Sequence, residues 1–280
     1  MSAISVLILT KNEEQDLPGC LASVAWCDDI HVYDSASTDR TISVAQKFGA
    51  KVTQKSYPDN GPIFGGDESA HRNWGLRNIP FKNPWVFNMD ADERMTPELV
   101  ATIKAIVSAS PNAAAFRVRR RDFFLGTWLK HVQTSPYYLR LFRPEKMHYE
   151  RLINPVSIVD GAIEDATGYL DHYPFSKGIG HWVNRHNSYS QFEAEQIMQN
   201  RKKGGKFKLL NAFFGADFHE KRFHQKELFY RLPFRPLVKF LLLYVFKLGF
   251  LDGKAGLTYA VLQSIYEYMI VLKTRELESK

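Results

Sequence analysis

Cysteine is scarce in this chain, and so are long apolar runs. The two cysteines, Cys20 and Cys27, stand seven positions apart in a sequence of 280 residues. This scarcity excludes a disulfide framework and a cysteine-based zinc site, and it favours a reducing compartment. The apolar run at 240–246 has seven residues, whereas a helix that crosses a bilayer needs about 20. Because the first residues lead directly into a predicted strand, we expect no signal peptide.

The overall composition is that of an ordinary globular protein, with 45% hydrophobic and 24% charged residues. A length of 280 residues exceeds the typical single domain of about 100–200 residues. We therefore expect one large domain over residues 1–230, with halves at 1–110 and 111–230. A helical extension is expected to follow over residues 231–280.

The glycine motifs that bind phosphate are also missing. The glycine-containing stretch at 61–66 has neither a Walker lysine nor G-x-G-x-x-G spacing, so we predict a mobile loop there. The chain has instead the triplet Asp90-Ala91-Asp92, directly after an apolar run at 85–89. Two carboxylates at the end of a strand can bind a divalent cation that holds a diphosphate. Taken alone, the triplet is equally compatible with an acidic turn.

The order of predicted elements gives the triplet its context. Strands alternate with helices along the first 100 residues, and the strands are predicted at 4–9, 30–33, 51–54 and 85–89. This order predicts a parallel sheet with right-handed crossovers, in which ligands bind beyond the carboxyl ends of the strands. Thr10, Asp34 and Asp90 follow three of these strands, so we expect them at one edge. Glu93 either supports the two aspartates from a second layer or belongs to the first turn of the next helix, and we prefer the helix.

Four segments resemble the motifs of the family 2 glycosyltransferases, whose fold is named GT-A. They are Thr10-Lys11-Asn12-Glu13, residues 34–39, His71-Arg72-Asn73 and residues 88–93. The chain is most similar to the bacterial branch that glucosylates lipopolysaccharide core, strongly over residues 1–110 and more loosely beyond. The resemblance implies a Rossmann-like, mostly parallel sheet flanked by helices, with a helical, membrane-associating extension at the C-terminus.

The resemblance also implies roles for individual residues. Contacts with the nucleotide sugar are implied for Thr10, Asn12, Glu13, Asp34, Arg72, Asp90 and Ala91. Thr10 and Asp34 would contact the base and ribose, and Arg72 would contact the base or the diphosphate. Asp92 would ligate Mg²⁺ or Mn²⁺, with Asp90 as a second ligand or a ribose contact. The implied reaction is inverting transfer from a nucleotide sugar, most often a UDP-sugar.

The catalytic base of the resembled branch is missing from its expected place. That branch is expected to carry a His-Glu or His-Asp pair shortly before Val159-Asp160-Gly161, where this chain has Asn154-Pro155. Neither residue can accept a proton as a base. One alternative is a neighbouring carboxylate, and among Glu150, Glu164 and Asp165 we select Glu150. The other alternative is an acceptor that is already anionic, such as a polyprenyl phosphate, and needs no base.

Residues 111–230 are predicted to bind the acceptor. The Asn154 amide is expected to orient it, and Arg140, on a predicted strand at 137–143, is expected to contact an anionic glycolipid or diphosphate. The net charge of +7 suits nucleic acid, but no recognised motif accompanies it, so we expect no nucleic-acid partner. Three histidines lack the spacing of a helical zinc motif and are predicted to be structural, namely His172, His181 and His186.

The last 50 residues combine short apolar runs with flanking lysines and arginines. This pattern predicts amphipathic helices on an anionic membrane surface, and the alternative is a helical hairpin packed on the catalytic domain. We therefore expect a peripheral protein at the cytoplasmic face of the inner membrane.

Three functions are compatible with the sequence. The preferred one is metal-dependent transfer of a sugar to a lipid-linked saccharide, such as lipopolysaccharide core or a polyprenyl-diphosphate glycan. The second is transfer to polyprenyl phosphate. The third is a non-catalytic fold of the same type that binds nucleotide or glycolipid.

Overall fold

The computed structural model describes residues 3–56, 68–109, 111–150, 155–202, 208, 211 and 218–279. Its strands are β1 (Ile4–Thr10), β2 (Ile30–Asp34), β3 (Lys51–Gln54), β4 (Trp85–Asp90), β5 (Glu93–Met95), β6 (Ala115–Phe124), β7 (Thr127–Trp128), β8 (Tyr137–Phe142), β9 (Met147–Glu150), β10 (Val156–Val159) and β11 (Ile163–His172). Its helices are α1 (Leu17–Ser23), α2 (Thr41–Lys47), α3 (Glu68–Asn78), α4 (Pro97–Ser108), α5 (Gly178–Lys202), α6 (Phe218–Arg231), α7 (Arg235–Leu241) and α8 (Gly253–Glu278).

Four parallel strands form the first half of the main sheet, in the order β3-β2-β1-β4. Strands β1 and β4 are buried almost throughout, as expected for parallel strands covered on both faces. Thr10 pairs with Asp34 in the register, and Leu9 pairs with Asp90. The carboxyl ends of β1, β2 and β4 therefore lie side by side, which confirms the predicted edge.

The second half of the main sheet is mixed and continues in the order β4-β8-β6-β11-β5. Strand β11 is parallel to β6, whereas β5 pairs antiparallel to β11 and brings Glu93 opposite His172. The prediction that Glu93 begins the next helix is therefore wrong, because its backbone is part of a strand. Helix α4 begins at Pro97, where Thr96 Oγ1 accepts a hydrogen bond from the Leu99 N–H at 3.2 Å. The mixed α/β class predicted from the sequence is confirmed.

The chain divides into two compact units. Unit 1 contains Met1–Phe123 and Ser135–Ser176, and unit 2 contains Phe124–Thr134 and Lys177–Lys280. The division falls after residue 176 and not at the predicted boundary of 230, because α5 packs along α8 within unit 2. Among the described residues, none of the helices combines the length and hydropathy that a bilayer crossing requires.

Unit 2 joins two separate parts of the chain through Asp252. Its carboxylate accepts hydrogen bonds from the backbone N–H groups of Lys130, His131 and Val132 at 3.2, 2.9 and 2.9 Å. The His131 ring nitrogen Nδ1 lies 2.8 Å from the same carboxylate. The segment at 124–134 is thus attached to the turn that precedes α8.

Asp29, just before β2, is a fully buried carboxylate with several donors. Ser5 Oγ and the Lys82 N–H donate to one oxygen at 2.5 and 2.8 Å, and Lys51 Nζ donates to the other at 2.7 Å. Burial alone would raise the pKa of Asp29, but these hydrogen bonds outweigh it and hold the pKa well below its usual range. The folded state therefore favours the ionised form.

We expect the substitution Asp29→Asn to lower the free energy of unfolding by about 3 kcal/mol at pH 7, because it replaces a buried carboxylate whose hydrogen bonds with Ser5, Lys82 and Lys51 are strengthened by its charge. The contribution of Asp29 is complete above the unfolded pKa of about 3.9 and is lost as the pH falls below it. Urea denaturation at pH 7 and at lower pH should show a shallower acid dependence in Asp29→Asn than in the wild type. Asp28→Asn, an exposed neighbour paired with Lys82, is the control, and equal acid slopes for Asp29→Asn and wild type would contradict the assignment.

Candidate active site at the carboxyl edge of the sheet

Thr10 and Asp34 meet where β1 and β2 end. Thr10 Oγ1 donates to Asp34 Oδ1 at 2.9 Å, and the Ser37 N–H and Gln54 Nε2 donate to Asp34 Oδ2 at 2.9 and 3.2 Å. Ser37 Oγ donates to Oδ1 at 2.5 Å, and the Asp34 side chain has no exposed surface. In this structure Asp34 therefore orders the loop at 35–39, and its predicted contact with a nucleotide stays a prediction.

Asn12 and Glu13 connect the loop after β1 to the loop after β2. Asn12 has a positive φ of 56°, a conformation that asparagine tolerates better than most residues. Its N–H donates to Ser37 Oγ, and its side-chain oxygen accepts from the Thr38 N–H, both at 2.8 Å. The Glu13 N–H donates to Thr41 Oγ1 at 2.7 Å. The two loops are thus held as one preformed platform beside the strand ends.

A pocket of about 190 Å³ opens beside this platform, and Thr10, Ser35, His71 and Arg72 are among its lining residues. Arg72 Nε and Nη2 donate to Glu68 Oε1 at 2.9 and 2.7 Å. Burial alone would lower the pKa of Arg72, but nearby Tyr149, Asp90 and Glu68 raise it above its usual range. Arg72 is therefore a fixed cation on the pocket wall, where its planar donors suit a diphosphate.

His71 also faces the pocket. Its Nε2 lies 3.1 Å from Ser35 Oγ, and its ring stacks on Tyr33 with the centroids 4.4 Å apart. Burial, together with the charges of Arg72 and Lys55, lowers the pKa of His71 to about 4. The ring is therefore neutral at pH 7 and offers one donor and one acceptor. The sequence placed His71 within a motif but gave it no role.

The Asp90 carboxylate at the end of β4 is shared with Arg140 and Glu93. Arg140 Nη2 donates to Asp90 Oδ2 at 3.1 Å and also to Glu93 Oε1. Glu93 Oε2 accepts the Asp90 N–H at 2.9 Å, and burial raises the pKa of Glu93 to about 7 against the opposing charge of Arg140. The Asp90 side chain is 39% exposed, whereas that of Arg140 is 7% exposed. The buried Arg140 side chain therefore holds the partly exposed Asp90 carboxylate in place.

His172, the last residue of β11, connects Asp92 to Asp122 on β6. Its Nε2 lies 3.2 Å from Asp92 Oδ2, and its Nδ1 lies 2.5 Å from Asp122 Oδ1. Burial alone would lower the pKa of His172, but its hydrogen bonds to Asp122 and Asp92 raise it to about 9. The sequence predicted only a structural histidine here. In the sequence, the cluster of Asp92, Asp122 and His172 could have been suspected only from the four consecutive charged residues at 119–122, which end in the buried Asp122.

Two of the predicted site residues lie elsewhere than expected. Arg140 was predicted to contact the acceptor, but it is buried between Asp90 and Glu93 because its strand packs beside β4. Glu150 was predicted as the base, but its side chain is 60% exposed and Oε1 lies 3.2 Å from His148 Nε2. Alternation along β9 directs Tyr149 and not Glu150 toward the core, where its Oη accepts from Asn88 Nδ2 at 3.3 Å.

The other acceptor residue, Asn154, lies outside the described residues, as does the predicted loop at 61–66. Ala91 is buried between the two aspartates of the triplet. His186, predicted to be structural, stacks on Trp182 within α5 and lies 2.8 Å from its carbonyl oxygen.

The donor set at the triplet fits a hard divalent cation. The side chains of Asp90 and Asp92 are 39% and 23% exposed, and carboxylate oxygens are the ligands that Mg²⁺ and Mn²⁺ prefer. Within the described part of the chain, no group of three or more His, Cys, Asp or Glu side chains is arranged to hold a metal by itself. A cation here therefore fits the pattern of one or two carboxylates completed by phosphate oxygens and water.

Comparison with known proteins agrees with the site. Residues 5–165 match the family described as glycosyl transferase family 2. The chain belongs to this family. It is 27% identical over 279 residues to the lipopolysaccharide core biosynthesis glycosyltransferase LpsC of Rhizobium meliloti, covering 96% of this chain and 91% of that protein. An uncharacterized glycosyltransferase of Rickettsia typhi is 30% identical over 237 residues, covering 76% and 77% of the two chains.

Among solved structures, S. aureus TarS (residues 1–349) matches 99% of this chain and 92% of its own, with 15% identity and a TM-score of 0.42. The membership of the family confirms the resemblance drawn from the four motifs. The glycosyltransferase is therefore an enzyme of the transferase class, and the non-catalytic alternative is not supported.

Proposed function

We propose that this glycosyltransferase moves a sugar from a nucleoside diphosphate sugar, a UDP-sugar in the first instance, to a lipid-linked saccharide. One observation carries the proposal: Asp90-Ala91-Asp92 lies at the carboxyl end of β4, beside the ends of β1 and β2. Arg72 lines the pocket with Thr10 and Ser35, which stand at the ends of β1 and β2, so a cation and two carboxylates lie near one edge. This arrangement suits a diphosphate that carries a divalent cation.

Each side chain of the site has its own role in the proposed reaction. Arg72 would bind the diphosphate, and the loop platform held by Asn12 would receive the nucleoside. Asp92 and Asp90 would hold Mn²⁺ or Mg²⁺, which when bound stabilises the negative charge of the departing nucleoside diphosphate. Arg140 and His172 hold the two aspartates in place from the buried side.

The relationship to LpsC supports a lipid-linked acceptor such as lipopolysaccharide core, since LpsC is named for core biosynthesis and aligns with 96% of this chain. A polyprenyl-diphosphate glycan presents the same chemistry. The proposal places the reaction at the cytoplasmic face of the inner membrane, where the buried free thiols Cys20 and Cys27 are compatible with a reducing compartment.

The proposal is tested by nucleotide release. The full chain is incubated with a panel of UDP- and GDP-sugars, with Mn²⁺, Mg²⁺ or a chelator, and with or without a lipid extract. We expect release of UDP from one sugar, stimulation by lipid, and loss of release with chelator. UDP release that is unaffected by chelator would contradict the proposed dependence on a divalent cation. Extraction of a charged lipid with a single sugar would identify polyprenyl phosphate as the acceptor.

A further inference from the structure

Unit 2 contains a cavity of about 570 Å³ whose lining includes none of the residues assigned above to the donor site. It lies between the ends of α5 and α6, the turn at 232–234, the start of α7 and the last turns of α8. All of its lining residues belong to unit 2. Its lining contains both charged and apolar residues, and each kind points to the same class of ligand.

The polar part of the lining is cationic. Three arginines line the cavity, namely Arg201, Arg235 and Arg275, and the one carboxylate in the lining, Glu278, pairs with Arg201. Arg235 is 5% exposed, and its Nη2 lies 2.6 Å from Glu267 Oε1. Its Nε has no hydrogen-bond partner among the described residues, and a buried donor without a partner is costly. Arg201 and Arg235 are each paired with a carboxylate, so what the lining offers a phosphate group is the charge of Arg275 and the buried Nε donor of Arg235.

The apolar part of the lining is exposed to an unusual degree. Phe234 is 80% exposed, Leu237 57% and Tyr268 51%. Phe234 also has a positive φ of 52°, a left-handed conformation that costs about 1 kcal/mol or more for such a residue. The turn thus holds a strained backbone and presents a large apolar side chain to water beside the arginines. Large apolar side chains grouped at the surface mark a binding site for an apolar partner.

We propose that this cavity binds the phosphate headgroup of an anionic phospholipid while Phe234 and Leu237 enter the acyl region. Arginines match the charge and the planar geometry of the phosphate oxygens. An apolar surface bordered by basic residues is the pattern of interfacial membrane binding. All residues of this pocket belong to unit 2, and the pocket would give the predicted membrane contact of residues 231–280 a defined headgroup site.

The test measures binding of the full chain to vesicles by co-sedimentation, with no sugar nucleotide present. Vesicles of phosphatidylcholine alone are compared with vesicles that also contain phosphatidylglycerol. We expect binding only to the anionic vesicles, about fivefold weaker binding for Arg275→Ala, and about tenfold weaker binding for Phe234→Ser. The matched control is Lys254→Ala, an exposed cation about 30 Å away along the same helix, for which we expect less than about a twofold change.

Thermal melting of each variant checks the fold, and all three substituted side chains are exposed. If Arg275→Ala and Lys254→Ala weakened vesicle binding equally, the binding would come from diffuse attraction between the basic surface and the membrane. That result would overturn the proposal. Unchanged binding by Phe234→Ser would also overturn it. So would binding of water-soluble glycerol phosphate at the affinity found for the vesicles, because the ligand would then be a free phosphate.

Discussion

Replacing Asp92 with asparagine is expected to reduce the rate of sugar transfer by about a thousandfold. The amide keeps the size of the side chain but removes the negative charge that would hold the cation. It also weakens the contact with His172 Nε2, which lies 3.2 Å from Asp92 Oδ2. The measurement is kcat/KM for the donor found in the nucleotide-release panel, at saturating Mn²⁺. Because Asp92 is only 23% exposed and contacts His172, the melting temperature is measured on the same preparation, and the loss of activity is expected to persist well below it.

Asp28→Asn provides the matched control for this experiment. Asp28 precedes β2, at the opposite edge of the same parallel sheet, and pairs with Lys82 at 2.5 Å. The same change of carboxylate to amide is expected to leave the transfer rate within about twofold of the wild type. Full activity of Asp92→Asn at saturating metal would show that this carboxylate holds no cation. A lower transfer rate in both variants would indicate that the substitutions disturb the fold of the sheet and do not act specifically on the cation site.

Replacing Arg140 with leucine is expected to destabilise unit 1 by about 3–5 kcal/mol, since it leaves two buried or half-buried carboxylates without their shared cation. Asp90 and Glu93 both accept from the same guanidinium nitrogen. The transfer rate should fall as well, because Asp90 loses the side chain that fixes its position. The measurements are urea denaturation and kcat/KM on the same protein preparation.

A second substitution separates the two effects of Arg140. Adding Glu93→Gln to Arg140→Leu removes one of the uncompensated charges, so we expect part of the stability to return while the transfer rate stays low. Arg117→Leu is the control, since Arg117 forms an exposed pair with Asp165 that is worth about 0–1 kcal/mol. If Arg140→Leu were no less stable than Arg117→Leu, the buried ion pair would have no structural role.

The sequence predicted the first half of the sheet well because the signals there are local. The apolar runs of β1 and β4 and the helix cap at Thr96 each lie within a few residues, and alternation of strands and helices predicts parallel order. The placement of Asp90 and Asp34 at the same edge, on either side of Thr10, agrees with that parallel order. Family motifs then supplied the chemistry.

The supports of the two aspartates were not predicted because they depend on pairing between distant strands. Arg140 and Glu93 are 47 residues apart in sequence, and His172 and Asp122 are 50 residues apart. No local pattern shows that β8 lies beside β4, or that β5 pairs with the end of β11. Arg140 consequently looked like a residue available to an acceptor, and Glu93 like part of a helix. The orientation of Tyr149 toward the core, in place of Glu150, was missed for a similar reason. Which face of a short strand is buried depends on the elements that it packs against.

The contact of Asp252 with the backbone at 130–132 has a consequence for synthesis on the ribosome. The three N–H groups emerge 120–122 residues before the carboxylate that accepts their hydrogen bonds. Unit 2 therefore cannot close around the segment at 124–134 until translation has reached the start of α8. During that interval unit 1 has all of its own residues, through Ser176, and can fold first. The hydrogen bonds of Asp252 therefore favour an order of folding in which unit 1 precedes unit 2.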